Sequence, residues 1–285
     1  MDLLAGVQKT LRHTLIARGV RSHTARLLGQ SIHYYELEGE GRGPPIVLVH
    51  GLAGSANGFY KLFFGLSKRF SRLYAMDLPG HGFSPLPDGG PNPVGRQVEL
   101  LTEFLRQKVT QPCLLVGTSL GGAMSITLAA QLPERILALL LIAPAGAQFP
   151  DGHLKDLEQA MAVSTVADAR ALTKRLFHKA PLGMLLFASQ LRSMYSIPPV
   201  KAAFADAREL SAVSPQVLSG LRMPVRVLWG GSEKILPNQS VEYFRAHLPA
   251  GSEVKVIPGF GHVPQMEKPQ ELLEEILAFA DHCRL

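Results

Sequence analysis

Two short glycine-flanked segments carry residue types that can act together in acyl transfer. Gly117-Thr118-Ser119-Leu120-Gly121 is a G-x-S-x-G. It directly follows the apolar run Cys113-Leu114-Leu115-Val116 and directly precedes a run rich in alanine and other small residues. A serine on a sharp strand-to-helix turn is displayed at a sheet edge, and only small neighbours fit around such a turn. The helix N-terminus beneath it favours developing negative charge. Ser119 is therefore a candidate nucleophile; outside this setting it would be an idle serine in a Gly-rich helix start. The second segment, Gly259-Phe260-Gly261-His262, lies after the last apolar run and before the last helical one. Among ten histidines, position singles out His262. A histidine on a glycine-rich loop at the C-terminal end of a strand can reach a nucleophile on the same edge. His262 is the candidate general base, against the plainer reading of a surface loop histidine.

A base of this kind needs a carboxylate to hold its tautomer and stabilise the imidazolium. Glu233 is the one carboxylate in the loop from Trp229 to Pro237, and otherwise reads as a solvated charge beside Lys234. The order serine, acid, histidine suits this choice. The rival position follows the fourth apolar run, but Ala143-Pro144-Ala145-Gly146 holds no acid, and Asp151 is the nearest. Two N–H donors must also face the developing oxyanion. Leu120, after the serine, offers one. Leu52, in His50-Gly51-Leu52-Ala53-Gly54, offers the other, with Gly51 and Gly54 permitting close approach. His50 reads as an orienting loop residue, not as the base.

These segments need a scaffold that brings several strand ends to one edge. Apolar runs at 46–49, 73–76, 113–116, 139–142, 225–229 and 254–257 read as buried strands. Ser31 to Glu36 alternates like an edge hairpin strand. Helical spacing marks Val94 to Val109, Ser119 to Leu132 and Gln270 to Asp281. Alternating strands and helices predict an α/β fold with a doubly wound, mostly parallel sheet. From Gln148 to Val213 no strand pattern appears, and Pro150, Pro181 and Pro198-Pro199 interrupt helical spacing. The expected organisation is a core in two parts, 1–147 and 214–285, with a helical cap inserted at 148–213. Inside that insertion Leu182-Gly183-Met184-Leu185-Leu186-Phe187-Ala188 is strongly apolar, as a lining for an acyl chain would be.

The chain has 285 residues, 46% of them hydrophobic and 18% charged, which excludes disorder. The net charge of +6 is scattered, without a basic stripe interleaved with aromatics, so nucleic acid is not an expected partner. Cys113 and Cys283 lack C-x-x-C spacing and fit a reducing, cytoplasmic setting. No run of eighteen apolar residues and no secretory leader is evident. Leu3, Leu4, Val7, Leu11, Leu15 and Ile16 are helically spaced with Lys9, Arg12 and Arg18 between them. That helix either packs on its own domain or lies against anionic lipid as a peripheral membrane contact. There is no H-E-x-x-H, P-loop or dinucleotide fingerprint in a strand-to-helix setting, so neither metal nor cofactor is implied.

With Met76-Asp77-Leu78-Pro79-Gly80-His81-Gly82-Phe83-Ser84 between them, these motifs resemble the α/β-hydrolase superfamily along nearly the whole chain. The stretches Leu115 to Gly122 and Ile142 to Gly146 are similar to its monoacylglycerol-lipase and esterase group with small caps. The resemblance implies that Asp77 is a structural loop acid, and that the substrate is a small-molecule carboxylic ester with an apolar acyl chain. Glu233 departs from the aspartate usual at its position. Ser119 speaks against dehalogenases and epoxide hydrolases, which carry aspartate there. The meta-cleavage C–C hydrolases typically have Asn before the serine and Trp after the histidine, where this chain has Thr118 and Val263. A ligand-binding protein that kept the pocket without catalysis is the remaining alternative.

Overall fold

The computed structural model describes residues 3–86, 93–148, 152–183 and 213–285. Its strands are β1 (Arg21–Leu27), β2 (Gln30–Glu38), β3 (Ile46–Val49), β4 (Arg72–Met76), β5 (Cys113–Thr118), β6 (Ile136–Ile142), β7 (Val225–Gly230) and β8 (Glu253–Ile257). They form one sheet in the order β1-β2-β4-β3-β5-β6-β7-β8. The β1–β2 and β2–β4 pairs are antiparallel, and every later pairing is parallel. The central runs are apolar without alternation because both faces are covered. Val47 and Val49 belong to one core with Leu115, Leu139, Leu141 and Val227. Ile46 and Leu48 face the other core with Val116, Leu140 and Leu228.

Among the described residues the helices are α1 (Leu3–Ala17), α2 (Phe63–Leu66), α3 (Val94–Lys108), α4 (Leu120–Gln131), α5 (His153–Met161), α6 (Val166–Leu176), α7 (Pro215–Ser219), α8 (Gln239–His247), α9 (Pro264–Glu267) and α10 (Pro269–His282). α3, α4 and α8 cover the first face through Leu101, Phe104, Met124, Leu128 and Phe244. α1, α2 and α10 cover the second through Leu15, Phe63, Leu66, Leu272, Ile276 and Phe279. Burying one such leucine or phenylalanine side chain contributes about 1.5–3 kcal/mol. α4 can lie close to the sheet because its first turn is Leu-Gly-Gly-Ala.

The expected edge strand at Ser31–Glu36 is corrected by the sheet order. It is the middle of β2, and its outer neighbour β1 is the true edge. β1 reads Arg-Ser-His-Thr-Ala-Arg-Leu and buries only Ala25 and Leu27, so apolar periodicity gives it no signal. The two-residue turn Leu28-Gly29, with both φ angles positive (46° and 86°), matches the twist of an antiparallel hairpin.

α1 packs on its own domain. Leu15 is buried, Leu11 packs beside it, and the Arg12 and Arg18 guanidinium groups lie over the Phe83 and Phe64 rings. Val7 and Ile16 stay exposed. Among the described residues no helix is long and apolar enough to cross a membrane. Both cysteines are free thiols.

Between β6 and β7 the chain leaves the sheet. The described part of this insertion carries α5 and α6, and Leu157, Met161, Val163, Ala169 and Leu172 pack into the first core. The Val213 N–H donates to Gly146 O at 2.8 Å, drawing the two ends of the excursion together. Asp151 and most of the apolar run, Met184 to Ala188, lie outside the described residues; Leu182 is 80% exposed.

A buried carboxylate holds the antiparallel strands to the β3 and β4 loops. Asp77 accepts hydrogen bonds from Ala56 N (2.7 Å) and Phe83 N (3.0 Å), and its Oδ2 lies 2.7 Å from His33 Nδ1. His33 Nε2 lies 2.8 Å from Ser22 Oγ on β1. Asn in place of Asp77 would turn an NH2 group toward one of these donors and remove the charge. Asp77→Asn should therefore cost roughly 2–4 kcal/mol of stability, read as a lower urea midpoint with an unchanged slope.

Candidate active site

The strands β3, β5, β7 and β8 deliver the candidate residues to one sheet edge, because all four run parallel and the residues follow their C-terminal ends. Ser119 sits between β5 and α4 with φ 54° and ψ −120°. A non-glycine residue in that conformation costs of order 1–3 kcal/mol and persists only where its surroundings enforce it. Its N–H donates to Ile142 O (3.0 Å) and its carbonyl accepts from Ala145 N (2.9 Å), so β6 and the loop after it clamp the turn. Ala53 (φ 56°) and Ala143 (φ 39°) share this feature in the loops after β3 and β6. Alanine gives no sequence sign of a left-handed backbone, so these two positions were illegible.

The β7 and β8 loops bring Glu233 and His262 together. Glu233 Oε2 lies 2.8 Å from His262 Nδ1, and both side chains are almost fully buried. The other carboxylate oxygen accepts from Ile235 N (2.6 Å) and Leu236 N (3.1 Å). Burial alone would raise the Glu233 pKa. The facing His262, its hydrogen bond and the two backbone N–H groups outweigh that, and the carboxyl ends below its ordinary value. An ionised carboxylate against Nδ1 holds the ring by that nitrogen.

The Gly51-Leu52 turn lies directly against Ser119. A Cβ added at Gly51 would stand 2.9 Å from Ser119 Cβ, so only glycine fits there. Neither the Leu52 nor the Leu120 N–H donates to another of the described residues. The turn is shaped by two buried histidines. His81 Nε2 accepts from Ala53 N (3.1 Å) while its Nδ1 faces Pro79 O (3.0 Å). His50 Nε2 accepts from Leu78 N (3.0 Å) while its Nδ1 faces Gly51 O (2.7 Å). Each ring thus accepts at Nε2 and donates at Nδ1, which fixes the neutral tautomer. His50 is an orienting loop residue, as its position before Gly51 suggests. The sign of His81 was its place in the Pro-Gly-His-Gly turn, but only the fold shows which N–H it takes.

A mostly parallel sheet with a serine on its strand-to-helix elbow and an acid–histidine pair at the same edge defines the α/β-hydrolase class. The chain belongs to the α/β-hydrolase family, whose description is "alpha/beta hydrolase fold": residues 44–269 match it. A dihydrolipoyllysine-residue acetyltransferase component of an acetoin cleaving system from Pseudomonas putida is 30% identical over 92% of this chain and 70% of its own length. Monoacylglycerol lipase ABHD6 of Bos taurus is 23% identical over 89% of this chain and 83% of its own. The crystal structure of a membrane phospholipase A, a bacterial virulence factor, superposes with a TM-score of 0.85 at 28% identity. That match covers 99% of this chain and 91% of the other. The protein is thus a hydrolase of the esterase- and lipase-like kind.

The two loop histidines make stability depend on pH. Burial foremost, and then the neighbouring His50, push His81 from an ordinary 6.5 down to about 4; burial lowers His50 as well. Between those two values the unfolded chain binds more protons than the folded one. Stability is therefore full above about pH 6.5 and falls toward pH 4 by up to ~1.4 kcal/mol per pH unit on account of His81, with His50 acting in the same direction. Urea midpoints measured between pH 7.5 and 4.5 should show this slope, and His81→Gln should make it shallower.

Proposed function

We propose that this protein is a serine esterase that cleaves carboxylic esters with an apolar acyl chain through an acyl-enzyme on Ser119. The observation that carries the reading is the buried Glu233–His262 pair, 2.8 Å apart, on loops at the edge where the Ser119 elbow emerges. His262 Nε2 takes the Ser119 proton as Oγ attacks the ester carbonyl. The Leu52 and Leu120 N–H groups hold the resulting oxyanion. Collapse of the tetrahedral intermediate breaks the C–O bond, and the imidazolium passes its proton to the departing alkoxide. Water, deprotonated by His262, then releases the acid and regenerates Ser119. Glu233 stays ionised throughout and holds the ring by Nδ1.

Labelling with a fluorophosphonate tests the mechanism directly. Ser119→Ala should not label at all and should lose at least ~10³-fold in turnover while remaining folded. Glu233→Gln should label and turn over far more slowly than the parent, since a neutral amide cannot stabilise an imidazolium. Asp151→Asn should behave as the parent. Labelling of Ser119→Ala at the parental rate would sink the mechanism; a slow Asp151→Asn beside a fast Glu233→Gln would move the acid to the β6 side.

In this reading the segment 148–213 serves as the cap, and the apolar composition of 182–188 is what makes an apolar acyl chain the expected substrate group. Each methylene withdrawn from water is worth roughly 0.8 kcal/mol, so kcat/KM should climb with chain length until the site is full. Across acetyl, butyryl, hexanoyl and octanoyl esters the expected optimum is a medium chain. A steady decline from acetyl onward would show that no acyl site lies beneath the insertion.

A further inference from the structure

The exit of α6 is bonded to both loops that carry the acid and the base. Arg175 Nε donates to Lys234 O (2.9 Å), and His178 Nδ1 lies 2.7 Å from Ser232 Oγ, so Glu233 is bracketed on both sides. The His262 N–H donates to Leu176 O at 2.8 Å. One carboxylate gathers these strands of chain. Glu267 Oε1 accepts from Lys179 N (2.7 Å), while its Oε2 accepts from His178 N (3.0 Å) and Gly261 N (3.2 Å). The contact leaves no slack: a Cβ on Gly261 would lie 2.6 Å from His178 N and 2.7 Å from Leu176 O.

We propose that Glu267 is a positioning residue for His262, acting by clamping the exit of the inserted α6 against the Gly261 peptide. This inference rests on the reading of His262 as the base. Phe260 is buried in the second core and its carbonyl accepts from Ser232 N (2.9 Å), which anchors the middle of the loop; Glu267 adds the hold on the Gly261 N–H, one residue before His262. Three N–H donors from two segments converge on one carboxylate, and charge-assisted bonds of this kind are about twice as strong as neutral ones. Glu267 contacts backbone only in these bonds, and its effect reaches the reaction through the placement of the next residue, His262. A displacement of about 1 Å in a catalytic group can cost ~10²-fold in rate. The insertion then does more than cover the site: its near end sets where the base stands.

The test compares Glu267→Ala and Glu267→Gln with the parent on one ester, measuring kcat, KM, fluorophosphonate labelling rate and folded fraction. Alanine removes every acceptor, and glutamine keeps one oxygen. Expected is a fall in kcat of ~10-fold or more for alanine, a smaller fall for glutamine, and KM within about twofold in both. Labelling should slow by the same factors, per folded molecule. If Glu267→Ala fails to fold, Glu267→Gln decides alone. Parental kcat and labelling in the folded variants would overturn the proposal, as would a loss confined to KM or matching the lost folded fraction. Failure of the underlying reading looks different: the parent itself would not label, or Ser119→Ala would.

Discussion

An ionised carboxylate survives inside a protein only where hydrogen bonds replace its lost water. Three carboxylates here meet that demand mainly with backbone N–H groups, and the architecture around the edge follows from it. Asp77 takes donors from the loops after β3 and β4. Glu233 takes Ile235 and Leu236 from its own loop. Glu267, only part-buried, takes N–H groups from the α6 exit and the β8 loop. Each draws chain segments that have no ladder partners of their own into one arrangement. Histidines complete two of the three sets: His33 on Asp77 and His262 on Glu233.

The parallel strands explain why these loops meet at all. Right-handed crossovers put every helix on a face and every β-to-α turn at the same end of the sheet. The elbow at Ser119 then needs support from neighbours, since its backbone is in an unfavourable region. That support comes from Ile142 and Ala145 on one side and Gly51 on the other. Gly51, which abuts the elbow, also begins the turn that carries the Leu52 N–H and that His50 and His81 hold. Strain at the serine and order in the adjoining turn are two consequences of one packing problem.

The segment between β6 and β7 is wired to the C-terminal edge of the sheet at 175–179, by bonds to the main chain of Lys234 and His262, to Ser232 Oγ, and to the Glu267 carboxylate that also holds the Gly261 N–H. Its α5 and α6 also bury side chains in the same core as β3 and β5.

The α/β architecture and the positions of six strands were legible in the residues alone, because buried parallel strands must be continuously apolar and short. The sequence also marked Ser119, Glu233 and His262, because a serine elbow and glycine-rich loops are local features with local residue requirements. It did not reveal β1, whose outer face is polar and whose place at the edge is a property of the sheet. It placed Ser31–Glu36 at that edge, where the twisted hairpin puts β1 instead. Nothing local distinguishes Ala53 or Ala143 from any other alanine; their left-handed backbones are imposed by contacts from distant strands. The roles of His33, His81 and Glu267 were likewise decided only in three dimensions. Each is bound to groups from 28 to 89 residues away in the chain, and a hydrogen bond between such distant groups leaves no periodicity to read.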